Sequence, residues 1–230
     1  MKKNFSVFFM LFCIVTAFII TSNRSPSDSK SLAVSENAAK LPVIVIDAGH
    51  GGLDGGASAY DGTPEKTYNL ALAKVLQSFF DAAGYETVMT REDDGDTDGK
   101  DGFNKKLDIA NRIVLANKDD NRVFISLHLN LSTSSSDQGF QVFYGSKNEK
   151  SKALAENIQT RIVSSGLCTR VRDVKKSPSG VFMQHHITSP CILAECGFIS
   201  NFEDYTLLKK EEYRAKLMYA LFCGVTEYLK

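Results

Sequence analysis

The chain has 230 residues, 43% hydrophobic and 23% charged, with 27 basic side chains balancing 27 acidic ones and no tryptophan. That length suits one well-buried domain and is short for two, and an ordinary charged fraction excludes a disordered polar chain. Zero formal charge excludes the clustered cationic excess that nucleic-acid binding needs.

Lys2 and Lys3 precede an apolar run from Phe5 to Ile20, broken only by Ser6 and Thr16. This pattern reads as a signal peptide or an N-terminal membrane anchor over residues 1–22, with the rest of the chain exported. No clean small-residue cleavage site follows, so the sequence leaves cleavage open. Residues 23–40 carry Ser, Asn, Ala and charge without apolar periodicity, which reads as a linker. One folded domain is expected over 41–230.

Its first element, Leu41 to Ile46, is an apolar, β-branched run suited to a buried central strand. After a glycine-rich loop, Thr63-Pro64-Glu65 supplies an N-cap residue, a proline at the first helical position and an acid in the first turn. The helix that follows aligns Leu72, Val75, Leu76, Phe79 and Phe80, and Gly84 stops it. Tyr85 to Thr90 reads as a strand. Lys105 to Asn117 reads as a helix with Leu107, Ala110 and Val114 on one face. Strands are expected at Arg122–Asn130 and Gly139–Tyr144, then a helix at Asn148–Ser165 with Leu154, Ile158 and Ile162 in line. Short strands at Val181–Gln184 and Cys191–Glu195 precede a closing helix, Glu211–Leu229. Strands alternating with helices predict an α/β fold: a mostly parallel central sheet flanked by helices on both faces.

Ligands of such sheets bind beyond the carboxyl ends of the strands. The first strand ends in Asp47-Ala48-Gly49-His50-Gly51-Gly52, the Arg122 strand in His128-Leu129-Asn130 and the Cys191 strand in Glu195-Cys196-Gly197. Glu65 begins its helix at the same edge. Two imidazoles and one carboxylate form the donor set of many catalytic zinc sites, and a second carboxylate can move protons beside them. Each residue alone has a plainer role: a hydrogen-bonded structural histidine, a helix-dipole acid, an ion-pair partner. Convergence on one edge is what points to a metal hydrolase.

Other chemistries fit less well. The segment GHGGLDGG lacks both the G-x-G-x-x-G order and the P-loop lysine, and no G-x-S-x-G elbow is present. If Glu195 faces the site, strand alternation turns Cys196 away from a nucleophile's position. His185 and His186 diverge on an extended segment, so at most one could join a metal. Asp94 to Gly99 starts like a calcium loop, but Lys105 stands where a bidentate glutamate belongs. The five cysteines show no Cys-x-x-Cys spacing; their pairing cannot be read from sequence, and small buried hydrophobes is the preferred reading.

VIVIDAGHGGLDGGA (43–57), EKTYNLALA (65–73), TR (90–91), ISLHLN (125–130) and LAECGFISN (193–201) resemble the zinc-dependent N-acetylmuramoyl-L-alanine amidases of the family called Amidase_3. The resemblance runs in order from Leu41 to Lys230. It implies a single catalytic domain with zinc held by His50, Glu65 and His128, and with Glu195 as the catalytic glutamate. The reaction implied is hydrolysis of the amide between N-acetylmuramic acid and L-alanine of the stem peptide in peptidoglycan. Within the family, residues 139–159 and ECGFISN look most like the germination-specific spore-cortex amidases, which prepare muramic acid for δ-lactam formation and work with an activating lipoprotein partner. Alternatives are a vegetative wall autolysin of the same family, a non-catalytic peptidoglycan-binding module and an exported metallopeptidase. Leu129, Phe202 and Cys196 depart from the family pattern; none is an implied ligand, and Leu129 bears on substrate fit beside His128. Lys2, Lys3, Arg24 and Lys30 face only Asp28 in the first thirty residues, so the exported remainder is mildly acidic. It has no broad attraction for an anionic wall, which favours targeting by an anchor or a partner.

Overall fold

Val43 to Ala48, six consecutive buried residues, form the strand (β1) on which the architecture is built. Such a run suits a position covered on both faces. This computed structural model describes residues 40–99, 102–181 and 183–230. The leader expected over 1–22 lies outside the described residues, as does the linker expected over 23–40 except for Lys40. Residues 41–230 form one compact unit.

After β1 come helix α1 (Glu65–Ala82), strand β2 (Thr87–Met89), helix α2 (Lys105–Ala116), β3 (Arg122–Asn130) and β4 (Gln141–Tyr144). They are followed by α3 (Lys150–Ser165), β5 (Lys175–Lys176), β6 (Cys191–Phe198), α4 (Phe202–Leu208) and α5 (Glu211–Tyr228). The strands make one sheet in the order β2-β1-β3-β6-β4-β5. β2, β1, β3 and β6 run parallel, whereas β4 returns antiparallel to β6 with β5 alongside it. Helices cover both faces. Ile44, Ile46, Ile125, Leu127, Ile192 and Ala194 pack on one side against residues of α1, α3 and α5 such as Leu76, Ile158 and Leu221. Val45, Phe124 and Cys191 meet Ile109, Ile113 and Ala116 of α2 on the other.

The expected elements appear with shifts of a few residues at their ends, and four local readings need correction. Among the described residues of Val181–Gln184 there is no strand; Met183 to His185 make a 3-10 turn whose buried Met183 packs with Ile187 against the α2 face. Thr63 does not cap α1: Pro64 is the N-cap residue and no side chain closes the cap. The α2 face expected from Leu107, Ala110 and Val114 is not the buried one, since Val114 is 66% exposed while Asp108 and Arg112 are buried. Neither the short helix α4 nor the two-residue strand β5 was expected, although Asn201 caps α4 by accepting from the Glu203 and Asp204 N–H groups. Gly84, at φ 82°, ends α1 in the left-handed turn expected of a helix-stopping glycine.

Cys168, Cys191, Cys196 and Cys223 are all free thiols. Burial raises the Cys191 thiol to about 11 and Cys196 well above its usual value, so both are small buried groups. No described helix is long and apolar enough to cross a membrane. The acidic loop folds back on α2: Asp98 accepts from the Asn104 N–H at 2.5 Å, and Thr97 donates to Asp108 at 2.7 Å.

Candidate metal centre

β1, β3 and β6 deliver their last residues to one edge of the sheet. His50, Glu65 and His128 meet there, with ligand atoms all within 4.8 Å of one another. His50 sits at φ 61°, a left-handed conformation uncommon for a side-chain-bearing residue. Gly51 and Asp54 exchange backbone hydrogen bonds of 2.9 Å around it, closing the turn. Asp54 Oδ2 lies 3.0 Å from His50 Nδ1, which fixes the ring and leaves Nε2 facing Glu65 Oε2 at 3.3 Å.

Glu65 is buried and held at both oxygens. Oε1 accepts from the Leu129 N–H at 3.0 Å and from Asn69 at 3.1 Å, and lies 3.0 Å from His128 Nδ1; Oε2 accepts from the Ala57 N–H. Burial alone would raise its pKa, but the bonds and charge of His128 and His50 hold it well below the usual carboxylate range. Burial works equally against a charged His50, yet Glu65 and Asp54 outweigh it and raise the imidazole to about 9.

Two glycines shape the cradle. A Cβ on Gly49 would stand 2.3 Å from the His128 ring, and one on Gly56 would stand 2.7 Å from both Glu65 Oε2 and the His50 ring. The donor set therefore closes only because backbone, without side chains, lies against it. Two imidazoles and a carboxylate on rigid supports fit a borderline-soft divalent ion such as zinc.

Glu195 pairs in register with His128 across β3 and β6, next to an irregularity in the ladder. It lines a pocket of about 320 Å³ with His50, His128, Val181 and Met183. Its Oε2 is buried without a hydrogen-bond partner among the described residues. Burial is the main cause that lifts its carboxyl to about 7; Glu65 adds to the rise and His128 opposes it. Cys196, its neighbour, is buried in the core on the other side of the strand, as alternation requires.

Beneath the cluster runs a polar network that the sequence reading missed. Arg112 of α2 donates to Asp47 Oδ1 at 2.5 Å, to Asp108 at 3.0 and 3.1 Å, and to the carbonyls of Ala48 and His50 at 3.0 and 2.8 Å. Arg91 donates to the carbonyls of Ala48, Gly49 and Lys66. Two guanidinium groups thus tie down the backbone of the His50 loop. Asp47 also accepts from Thr90 and Ser126. Burial would raise Asp47, but Arg112 and these hydroxyls lower its pKa instead.

His185 stays apart from the cluster, engaged with Ser146 Oγ and the Pro178 carbonyl, and His186 is likewise not in it. The Leu129 side chain is 3% exposed and lies in the core, so it does not shape substrate fit; its N–H serves the site by holding Glu65.

Residues 44–227 match the family model described as N-acetylmuramoyl-L-alanine amidase. The germination-specific N-acetylmuramoyl-L-alanine amidase of Bacillus subtilis is 31% identical over 234 residues, spanning 99% of this chain and 95% of that protein. Among solved structures, the CwlD amidase from Clostridioides difficile, in complex with the GerS lipoprotein, superposes with a TM-score of 0.76. It is 32% identical over 82% of this chain and 98% of that one. The catalytic domain of the amidase CwlV from Bacillus (Paenibacillus) polymyxa var. colistinus gives 0.71 at 30% identity, over 82% and 98% of the two chains.

Proposed function

The chain belongs to the N-acetylmuramoyl-L-alanine amidase family, enzymes of peptidoglycan, and from its site we propose a zinc-dependent amidase of the spore cortex. The observation that carries the chemistry is the pre-arranged His50, Glu65 and His128 set with the shielded Glu195 carboxyl beside it. His50, Glu65 and His128 would hold the ion. Zinc, when bound, supplies Lewis acidity toward the amide carbonyl and toward a water molecule.

The chain's own residues do the rest. Glu195 takes a proton from the attacking water at a carboxylate oxygen and returns it to the departing L-alanine nitrogen. Burial raises its carboxyl above the usual range, which favours its holding that proton between the two steps. Ile109, Val181, Met183 and Leu193 give the pocket an apolar wall that thins water around that carboxylate. Asp54 orients His50, Asn69 and the Leu129 N–H orient Glu65, and the two arginines hold the loop that carries His50.

The cortex role, with removal of stem peptides ahead of muramic δ-lactam formation, is supported by the likeness to the germination-specific relative over nearly the full length of both chains. The apolar segment Phe5 to Ile20 supports export, and the mildly acidic remainder supports reliance on an anchor or an activating lipoprotein. Mass spectrometry of muropeptides tests both levels of the reading. Purified cortex and vegetative wall are each digested by the enzyme, stripped with chelator and then resupplied with zinc. Free stem peptides and peptide-free muramic acid, returning only with zinc, are expected. Release of single amino acids would instead indicate a peptidase, and equal cleavage of both walls would defeat the cortex assignment.

A further inference from the structure

A second pocket, of about 630 Å³, opens beside Tyr60 and Phe202 and is lined by Ser135, Gln138, Asn201 and Glu203 among others. We propose that it is a glycan subsite, in which a sugar ring of the peptidoglycan strand lies against the Tyr60 and Phe202 rings. This rests on the reading of the chain as a peptidoglycan amidase.

The first support is the aromatic pair itself. Tyr60 and Phe202 are 62% and 65% exposed, yet their ring centroids stand 5.5 Å apart at an interplanar angle of 31°. Two neighbouring, largely exposed aromatic rings offer an apolar contact with little conformational entropy to lose.

Charge and hydrogen-bonding character select the occupant. Apart from the two rings, the lining residues are Ser135, Ser136, Gln138, Ser200, Asn201 and Glu203, of which Asn201 is already engaged as the cap of α4. The lining contains no lysine, arginine or histidine. A pocket with acceptors, neutral donors and one negative charge suits a hydroxyl- and acetamide-bearing ligand. It offers nothing to the carboxylates of a stem peptide or to a phosphate polymer.

The walls are fixed in place without a ligand. The Tyr60 ring packs edge-on against Tyr205 at 5.2 Å, and the Tyr205 hydroxyl reaches both oxygens of Asp61, at 2.8 and 2.9 Å. Lys209 bonds Asp61 as well. Across the pocket, Asn201 Nδ2 donates to the Ser135 carbonyl at 2.7 Å and Ser200 Oγ accepts from the Ser132 N–H. A site that is already ordered loses less on binding.

Placement completes the argument. Tyr60 lies in the loop after β1, Ser135 and Gln138 in the loop after β3, and Phe202 just past β6. These are the three strand ends that carry His50, His128 and Glu195. The proposed amide is attached through a lactyl arm to a sugar ring, so a strand presenting that amide to the metal centre brings its sugars to this edge.

The test compares the full chain with Tyr60→Ala, Phe202→Ala and the ring-keeping Tyr60→Phe, each checked for an unchanged melting temperature. Two substrates are used: glycan strands bearing stem peptides, and a sugar-free D-lactoyl-L-alanyl peptide. The ratio of kcat/KM on the strand to that on the sugar-free peptide is expected to fall about tenfold in each alanine variant, the scale of one aromatic contact, and to hold in Tyr60→Phe. Affinity for peptide-free glycan strands, measured by calorimetry, should fall by a similar factor. An unchanged ratio with unchanged glycan affinity overturns the proposal. So does loss of binding to a lipoprotein partner while glycan affinity stays intact, because the rings would then be a protein-docking face. If the wild-type chain cleaves neither substrate but binds glycan in a Tyr60-dependent way, the amidase reading fails and the subsite stands.

Discussion

Arg112→Met should cost this domain a large share of its stability. The Arg112 side chain is 4% exposed, and its five N–H groups make five hydrogen bonds, three to carboxylates and two to main-chain carbonyls. Methionine fills most of the volume, so the loss is electrostatic rather than a cavity. Asp47 keeps Thr90 and Ser126, and Asp108 keeps Thr97, so neither carboxylate is wholly orphaned. Breaking a buried pair typically costs 3–5 kcal/mol, and these remaining partners place the expectation at about 3 kcal/mol. Against a total of roughly 5–15 kcal/mol, that lowers a urea midpoint visibly. Adding Asp47→Asn should recover part of the loss, with a coupling energy of about 1–3 kcal/mol in the double-mutant cycle. A loss under about 1 kcal/mol, or strictly additive substitutions, would refute the view that this ion pair holds the His50 loop.

Glu195→Ala should retain zinc, measured by calorimetry, while cleavage falls about 10²- to 10⁴-fold; His128→Ala should lose both. Full activity in Glu195→Ala would sink the assigned mechanism. Gly49→Ala places a methyl group 2.3 Å from the His128 ring and should weaken zinc affinity by at least about tenfold, with a melting-temperature loss equivalent to about 1–3 kcal/mol. Unaltered affinity would show that the ring has room to move. Asp47 has a pKa lowered by folding, so its contribution is complete above its unfolded value of about 3.9 and is lost as pH falls toward the folded value. Urea midpoints of wild type and Asp47→Asn should therefore converge below about pH 4, and a constant gap would contradict the linkage.

The site was legible wherever one residue type in one local pattern decided its position. Arg122–Asn130 was legible as an apolar strand with its observed bounds, and His128 shares the Phe124 face, opposite Ile125 and Leu127. The polar support was not legible, because α2 inverts the usual rule: its buried side carries Asp108 and Arg112, whose partners are far away in sequence. A period search for apolar residues selects Val114 and looks past the charged stripe at 108 and 112. Asn69 could have been found, since it lies one helical turn after Glu65. Asn201 ahead of Glu203 and Asp204 is likewise a readable helix start. Met183 to His185 misled because a short apolar run looks alike in a strand and in a buried turn.

Glu65 and His128 are separated by 63 positions, and each is anchored by groups of the protein before any ion arrives. This separates the order of assembly here from that of a zinc finger. There, nearby ligands gather around the ion and the ion creates the fold. Here the donors become neighbours only after β1 and β3 have paired, so an unfolded chain offers no ready chelate. In the proposed zinc enzyme the ion would be a late arrival in a finished frame. Removing it should therefore silence the enzyme while leaving the domain standing, ready to be switched on again.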